Sequence, residues 1–94
     1  METTLQLTNT EILQIIANYF EIEPKVILSK NKMREVADAR FIYYKLLREK
    51  GFTLKHIGKI CGDRQHAAII NGIRMVTNIS TIQTNYQNIK NKII

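Results

Sequence analysis

Ninety-four residues provide for a single domain, 1–94, and a 45% apolar share is sufficient for one core. The net charge of +6 is lopsided: residues 1–23 hold four acids and no base, and the excess of lysine and arginine comes after them. These figures exclude a disulfide framework, since Cys61 stands alone, and a membrane span, since no apolar run approaches the roughly 20 residues needed. The chain reads as helical nearly throughout, punctuated by one proline and four glycines. Residues 1–8 look like a loose leader. Thr8 with Glu11 three positions on forms a capping box, and Ile12, Ile15, Ile16, Tyr19 and Phe20 follow as an apolar stripe of helical period. Pro24 suits the first position of a short second helix with Val26, Ile27 and Leu28 turned inward. The same triplet would suit a strand, but nothing else in the chain offers it a partner.

Ser29 to Met33 is a polar, basic loop. A third helix is predicted from about Arg34 to Lys50, burying Val36, Ala39, Tyr43, Leu46 and Leu47, and Gly51 stands where a left-handed residue ends a helix. Thr53 caps a fourth, with Leu54, Ile57 and Ile60 inward and Gly58 kept small by a crossing helix. Gly62 breaks that helix, Asp63 is placed to cap the fifth, and the fifth buries Ile70, Ile73 and either Met75 or Val76. Ser80 opens a sixth, a C-terminal helix or tail over 79–94, in which Ile79, Ile82, Tyr86, Ile89 and Ile93 keep helical spacing. Its stripe exceeds what a small core covers, which would allow a homodimer through the C-terminal helix and binding to paired half-sites. The expected fold is all-α, a compact bundle of five to six helices.

Within it, Thr53 to Met75 reads as helix, tight turn at Cys61-Gly62-Asp63, and a helix opening with Arg64, Gln65 and His66. Long polar side chains on the first turn of a helix after a glycine turn are what a major-groove reader needs, with the preceding helix laid across the phosphates. The segment is therefore a candidate helix-turn-helix for double-stranded DNA.

Further residues extend the pattern: Tyr19-Phe20 at a helix end, Ile27-Leu28-Ser29-Lys30, Val36-Ala37 with Arg40, Leu54 with Ile57-Gly58, and Gly62-Asp63-Arg64-Gln65-His66-Ala67-Ala68-Ile69. Over about residues 10–77 this resembles the C-terminal DNA-binding domain of the bacterial replication initiator DnaA, whose hallmark at the last segment is Gly-Gly-Arg-Asp-His-Thr-Thr-Val. Order and spacing agree, apart from a loop between the third and fourth helices about one residue shorter. The resemblance implies that Lys30, Lys32, Arg34 and Arg40 contact the DNA backbone or minor groove. It implies that Lys55 and Arg64 flank the major groove and that Gln65, His66, Ala67 and Ala68 face base edges. Replication or transcription regulation is the implied setting.

The departures from that family carry predictions of their own. Its Arg-Pro is Asp38-Ala39 here, so an acid replaces an expected minor-groove arginine. Gln65 replaces an aspartate, exchanging an acceptor suited to cytosine for a group that pairs with adenine N6 and N7. Ala67-Ala68 replace two threonines, keeping contact with a thymine methyl and removing two hydroxyls. The family's usual origin box is accordingly not the expected preference. No Gly-x-x-x-x-Gly-Lys-Ser/Thr segment is present, so no nucleotide is expected to bind and the family's ATPase module is not expected in this chain.

His56, Cys61 and His66 invite a metal or thiol reading, but spacings of five with no fourth ligand do not suit zinc. Neither metal, cofactor nor enzyme activity is expected. Lys45, Arg48 and Lys50 read as solvated charge beyond the contact region. The polar, acidic start METTLQLTNTE is unlike a secretory signal, so a soluble, cytoplasmic, nucleoid-associated protein is expected. A second function class remains open: a protein-interaction module that kept the fold and lost DNA binding, docking through the acidic first helix or the C-terminal stripe. Retention on heparin or random duplex at low salt separates the two.

Overall fold

A computed structural model describes residues 7–93. Most of the leader expected over 1–8 thus lies outside the described residues. Six helices follow in order: α1 (Asn9–Phe20), α2 (Pro24–Ile27), α3 (Arg34–Glu49), α4 (Leu54–Ile60), α5 (His66–Asn78) and α6 (Ser80–Ile93). No strand occurs among the described residues.

Local signals set most of the boundaries. At α1 the Thr8 side chain accepts the Glu11 backbone N–H at 3.1 Å while Glu11 Oε1 accepts that of Thr8 at 2.8 Å, the expected reciprocal cap. Pro24 opens α2. α3 ends in a Schellman pair, Phe52 N–H donating to the Leu47 carbonyl and Gly51 N–H to that of Arg48, with Gly51 at φ +103°. α1 also closes on a left-handed residue, one that no glycine announces. Glu21 takes the left-handed conformation (φ 56°, ψ 45°), and Ile22 N–H donates to the Ala17 carbonyl at 3.0 Å.

The core is built around α3, which packs on α5, α1, α2, α4 and α6. Val36, Ala39, Tyr43, Leu46 and Leu47 are buried as expected, and Ile42, Tyr44 and Arg40 join them, so α3 is enclosed on most of its circumference. α1 presents Ile12, Leu13, Ile16 and Ala17, with Ile15, Tyr19 and Phe20 half-buried at the edge. The inward face of α5 differs from expectation: Ile69, Gly72 and Val76 are buried, while Ile70 is 38% exposed. The reason is Gly72, where a β-carbon would stand 2.7 Å from the Phe41 and Tyr44 rings. A glycine in the middle of the buried stripe lets α5 lie directly on α3 and hides the stripe's true phase.

α6 is part of this core. Ile82, Tyr86, Ile89 and Ile93 are each at most 6% exposed, so the stripe is already covered within the chain and offers no face for a homodimer. The expected dimer surface is thereby corrected. Four side chains buried at ~1.5–3 kcal/mol each amount to a large part of a small domain's stability. Polar ties hold the same helix at both sides. The Tyr86 hydroxyl donates to Glu49 Oε2 at 2.5 Å, and Lys90 Nζ lies 3.3 Å from Glu49 Oε1. Tyr19 donates to Asn85 Oδ1 at 2.9 Å and accepts from Asn88 at 3.0 Å. Burial first, then the Glu49 carboxylate, pushes the Tyr86 hydroxyl up to about 12.

Candidate nucleic-acid interface

The turn between α4 and α5 is formed by two consecutive left-handed residues, Gly62 (φ 84°) and Asp63 (φ 61°). They bring the chain back over α4, where Arg64 N–H donates to the Gly58 carbonyl at 2.9 Å. A β-carbon on Gly58 would collide with the Arg64 carbonyl oxygen. Gly58 is therefore small because the turn itself returns across it, not because another helix crosses. Asp63 does not cap α5, since it is spent on the reversal. The N-cap is Gln65, extended at φ −78° and ψ 157°, and its side chain makes no capping bond. α5 consequently begins at His66, two residues later than the opening at Arg64 that the sequence suggested.

This placement leaves Gln65, His66, Ala67 and Ala68 exposed, with the fully buried Ile69 anchoring the helix beneath them. Ile70, Asn71 and Arg74 continue the exposed face at helical spacing from Ala67. The sequence alone singles out none of the three, and its apolar pattern puts Ile70 in the core. Their i+3, i+4 and i+7 positions are the signal that could have found them once the face was known.

The basic loop lies against the turn. Arg64 Nη2 donates to the Ser29 carbonyl at 2.8 Å and its Nε to that of Cys61 at 3.3 Å. Lys30, Lys32 and Arg34 are exposed along the loop and the start of α3, where Lys32 and Arg34 border a cavity shared with Met75, Ile79 and Ile82. Arg34 is also shared with an acid, its Nε 4.0 Å from Asp38 Oδ2. Burial, outweighing the attraction of Arg34, raises the Asp38 carboxyl above the usual aspartate range, and Glu35 adds to the rise. Lys55 is exposed on the first turn of α4, whose cap is made by Thr53 accepting the His56 N–H at 3.1 Å. Lys59 is exposed on the same helix. The His56 ring stacks on Phe52 at 4.5 Å.

Arg40 requires correction. It is 4% exposed and faces inward, with Nε donating to the Ile27 carbonyl at 2.8 Å and Nη2 to that of Asn31 at 2.7 Å. So deeply buried and turned to two main-chain carbonyls, the guanidinium is not presented to a phosphate or a groove. Burial, and next the Arg64 charge, lowers its pKa below the ordinary arginine value. Arg64 is partly drawn in the same direction, half-buried with two of its nitrogens engaged.

Cys61 is fully buried, and burial pushes its thiol up to about 12, which opposes thiolate nucleophilicity or ligation. No group of three or more metal-ligating side chains is gathered among the described residues. No helix among them is long and apolar enough to cross a membrane.

Two helices joined by a tight turn, the second presenting an exposed polar first turn beside a basic loop, define a helix-turn-helix. The chain belongs to the family described as the bacterial dnaA protein helix-turn-helix, which matches residues 10–76. It is 34% identical to the chromosomal replication initiator protein DnaA of Aliarcobacter butzleri, the match covering 99% of this chain and 22% of that protein. The proteins of the same name from Bacteroides thetaiotaomicron and Francisella tularensis are each 28% identical, over 89% and 87% of this chain. The chain spans about a fifth of the length of these relatives: 22%, 18% and 18% in turn.

Proposed function

We propose that this chain binds double-stranded DNA, reading sequence with Gln65, His66, Ala67 and Ala68 in the major groove while Lys30, Lys32, Arg34 and Lys55 hold phosphates. The observation that carries the reading is the junction of the exposed α5 turn with the basic loop, joined by the Arg64–Ser29 hydrogen bond. That bond supports treating the exposed turn and the basic loop as parts of one interface. The replication context follows from the relatives' printed name, chromosomal replication initiator, and a nucleoid location would accompany it. The regulatory use we propose, in replication or transcription, would act through binding rather than catalysis. A docking function through the C-terminal stripe loses support, because that stripe is buried.

Four phosphate contacts imply that log affinity falls against log salt with a slope of about −3.6, at −0.9 per contact. Selectivity of about 1–3 kcal/mol per good bidentate pair is left to Gln65 and His66. The test is a selection from a random duplex pool, followed by titrations of the winning sequence and a scrambled control. Lys30→Ala should weaken both alike and flatten the salt slope by about 0.9. Gln65→Ala should erase the preference at one base pair. Equal behaviour of the two variants on both duplexes would overturn the assignment of readers. The family's usual origin box should not win the selection, given Gln65 and Ala67-Ala68.

A further inference from the structure

From the last residue of α2 into the loop before α3, arginine takes the carbonyl of every second residue. Arg40 Nε donates to Ile27, Arg64 Nη2 to Ser29 and Arg40 Nη2 to Asn31, at 2.8, 2.8 and 2.7 Å. The residues between and after them, Lys30 and Lys32, are exposed. The loop adds its own bonds: Ser29 Oγ donates to the Val26 carbonyl, Asn31 N–H donates to Ser29 Oγ, and Met33 N–H donates to Asn31 Oδ1. One arginine comes from α3 and the other from the residue preceding Gln65. Among the described residues, neither is in an ion pair with an acid. Two guanidiniums without an acid partner beside a loop carrying two lysines are electrostatically costly, and their hydrogen bonds to the carbonyls are what offset that cost.

We propose that Arg40 and Arg64 are positioning residues that lock the Lys30–Lys32 loop to the reading turn, so that phosphate holding and base reading are fixed in register before DNA arrives. This rests on the duplex-binding reading above and deepens it. It reassigns Arg64 from a direct contact to a clamp. Arginine is required at both places because its planar fork reaches two carbonyls at once, whereas a lysine offers one point charge. Preorganisation of this kind spares the loop the ordering that would otherwise weaken binding.

Two measurements test it on the full chain. In the free protein, amide exchange at Ser29, Asn31 and Met33 should accelerate roughly tenfold or more in Arg64→Gln and Arg40→Lys, with the α3 and α5 core amides unchanged. Unchanged loop protection would overturn the proposal without reference to DNA. In duplex titrations, Arg64→Gln should flatten the salt slope by about 1.8, the loss of Lys30 and Lys32 together, rather than the 0.9 of one contact. In a Lys30→Ala/Lys32→Ala background the same change should then shift the slope by less than about 0.3. A shift of about 0.9 in both backgrounds would make Arg64 a direct phosphate contact and defeat the clamp. Absence of duplex binding by the parent chain would defeat the DNA reading itself, whatever the loop amides show.

Discussion

Gly58→Ala places one methyl group where the chain cannot yield. The β-carbon would meet the Arg64 carbonyl oxygen, a backbone atom held by the Arg64 N–H bond to the Gly58 carbonyl at 2.9 Å and by the two left-handed residues before it. Alanine in a helix interior gains up to ~1 kcal/mol over glycine. Overpacking costs ~1–3 kcal/mol, and the upper end applies because the obstacle is main chain rather than the tip of a flexible side chain. The net expectation is a loss of about 2 kcal/mol, or roughly 8–16 °C in Tm for a domain of this size. Far-UV circular dichroism on heating and in urea reads this directly. Gly51→Ala is the matched control, since nothing lies within 4 Å of its β-carbon and only its φ of +103° resists the change. Because Gln65 follows Arg64, the Gly58 variant should also lose selectivity for its preferred duplex at temperatures where it remains folded. A Gly58→Ala protein as stable as the parent would refute the account of the turn, since alanine would then have been accommodated without displacing Arg64.

Asp38→Asn removes an acid that shares Arg34, and duplex affinity at low salt should rise about fivefold, equivalent to ~1 kcal/mol; weaker or unchanged binding would mean that Asp38 does not face the DNA. Cys61 and Tyr43 are both held protonated by burial, pushed up to about 12 from 9.0 and 10.0. The folded state keeps these protons where the unfolded chain releases them, so their contribution is complete below pH 9 and is lost as the pH climbs toward 12. Urea midpoints measured from pH 8 to 11 should fall, and less steeply in Cys61→Ala; parallel curves would contradict the assignment. Glu21→Gly relieves a left-handed glutamate at φ 56° and should raise the urea midpoint by the equivalent of about 0.5–1 kcal/mol, whereas a lower midpoint would show that the side chain contributes more than its strain costs.

What was legible in the sequence was local. Thr8 with Glu11, Pro24, Gly51 and Thr53 announce helix ends because each solves a hydrogen-bond or φ requirement within a few residues of itself. Features that depend on distant contacts were misread. Arginine usually keeps its charge in water, so nothing in the sequence marks Arg40 as buried; only the Ile27 and Asn31 carbonyls explain it. The phase of α5 was lost because Gly72 contributes no apolar side chain to the face it occupies, and Ile70 supplied a false one. The Ile82–Ile93 stripe was read correctly as amphipathic, but periodicity does not say whether the partner is the same chain or another. Gln65 to Ala68 are exposed, and finding Ile70, Asn71 and Arg74 on the same side requires the helical phase that only the fold supplies.

The family's shared stretch stops at residue 76, yet the tertiary structure continues through Ile93. The family model and the fold thus draw different borders, although the likeness to the Aliarcobacter butzleri protein covers 99% of the chain. A shortened fragment cut at the former would strip the cover from the Glu49 side of α3 and from Tyr19 of α1, baring apolar surface that the full chain keeps dry. Such a fragment should clump, so the last helix belongs in any minimal version of this molecule.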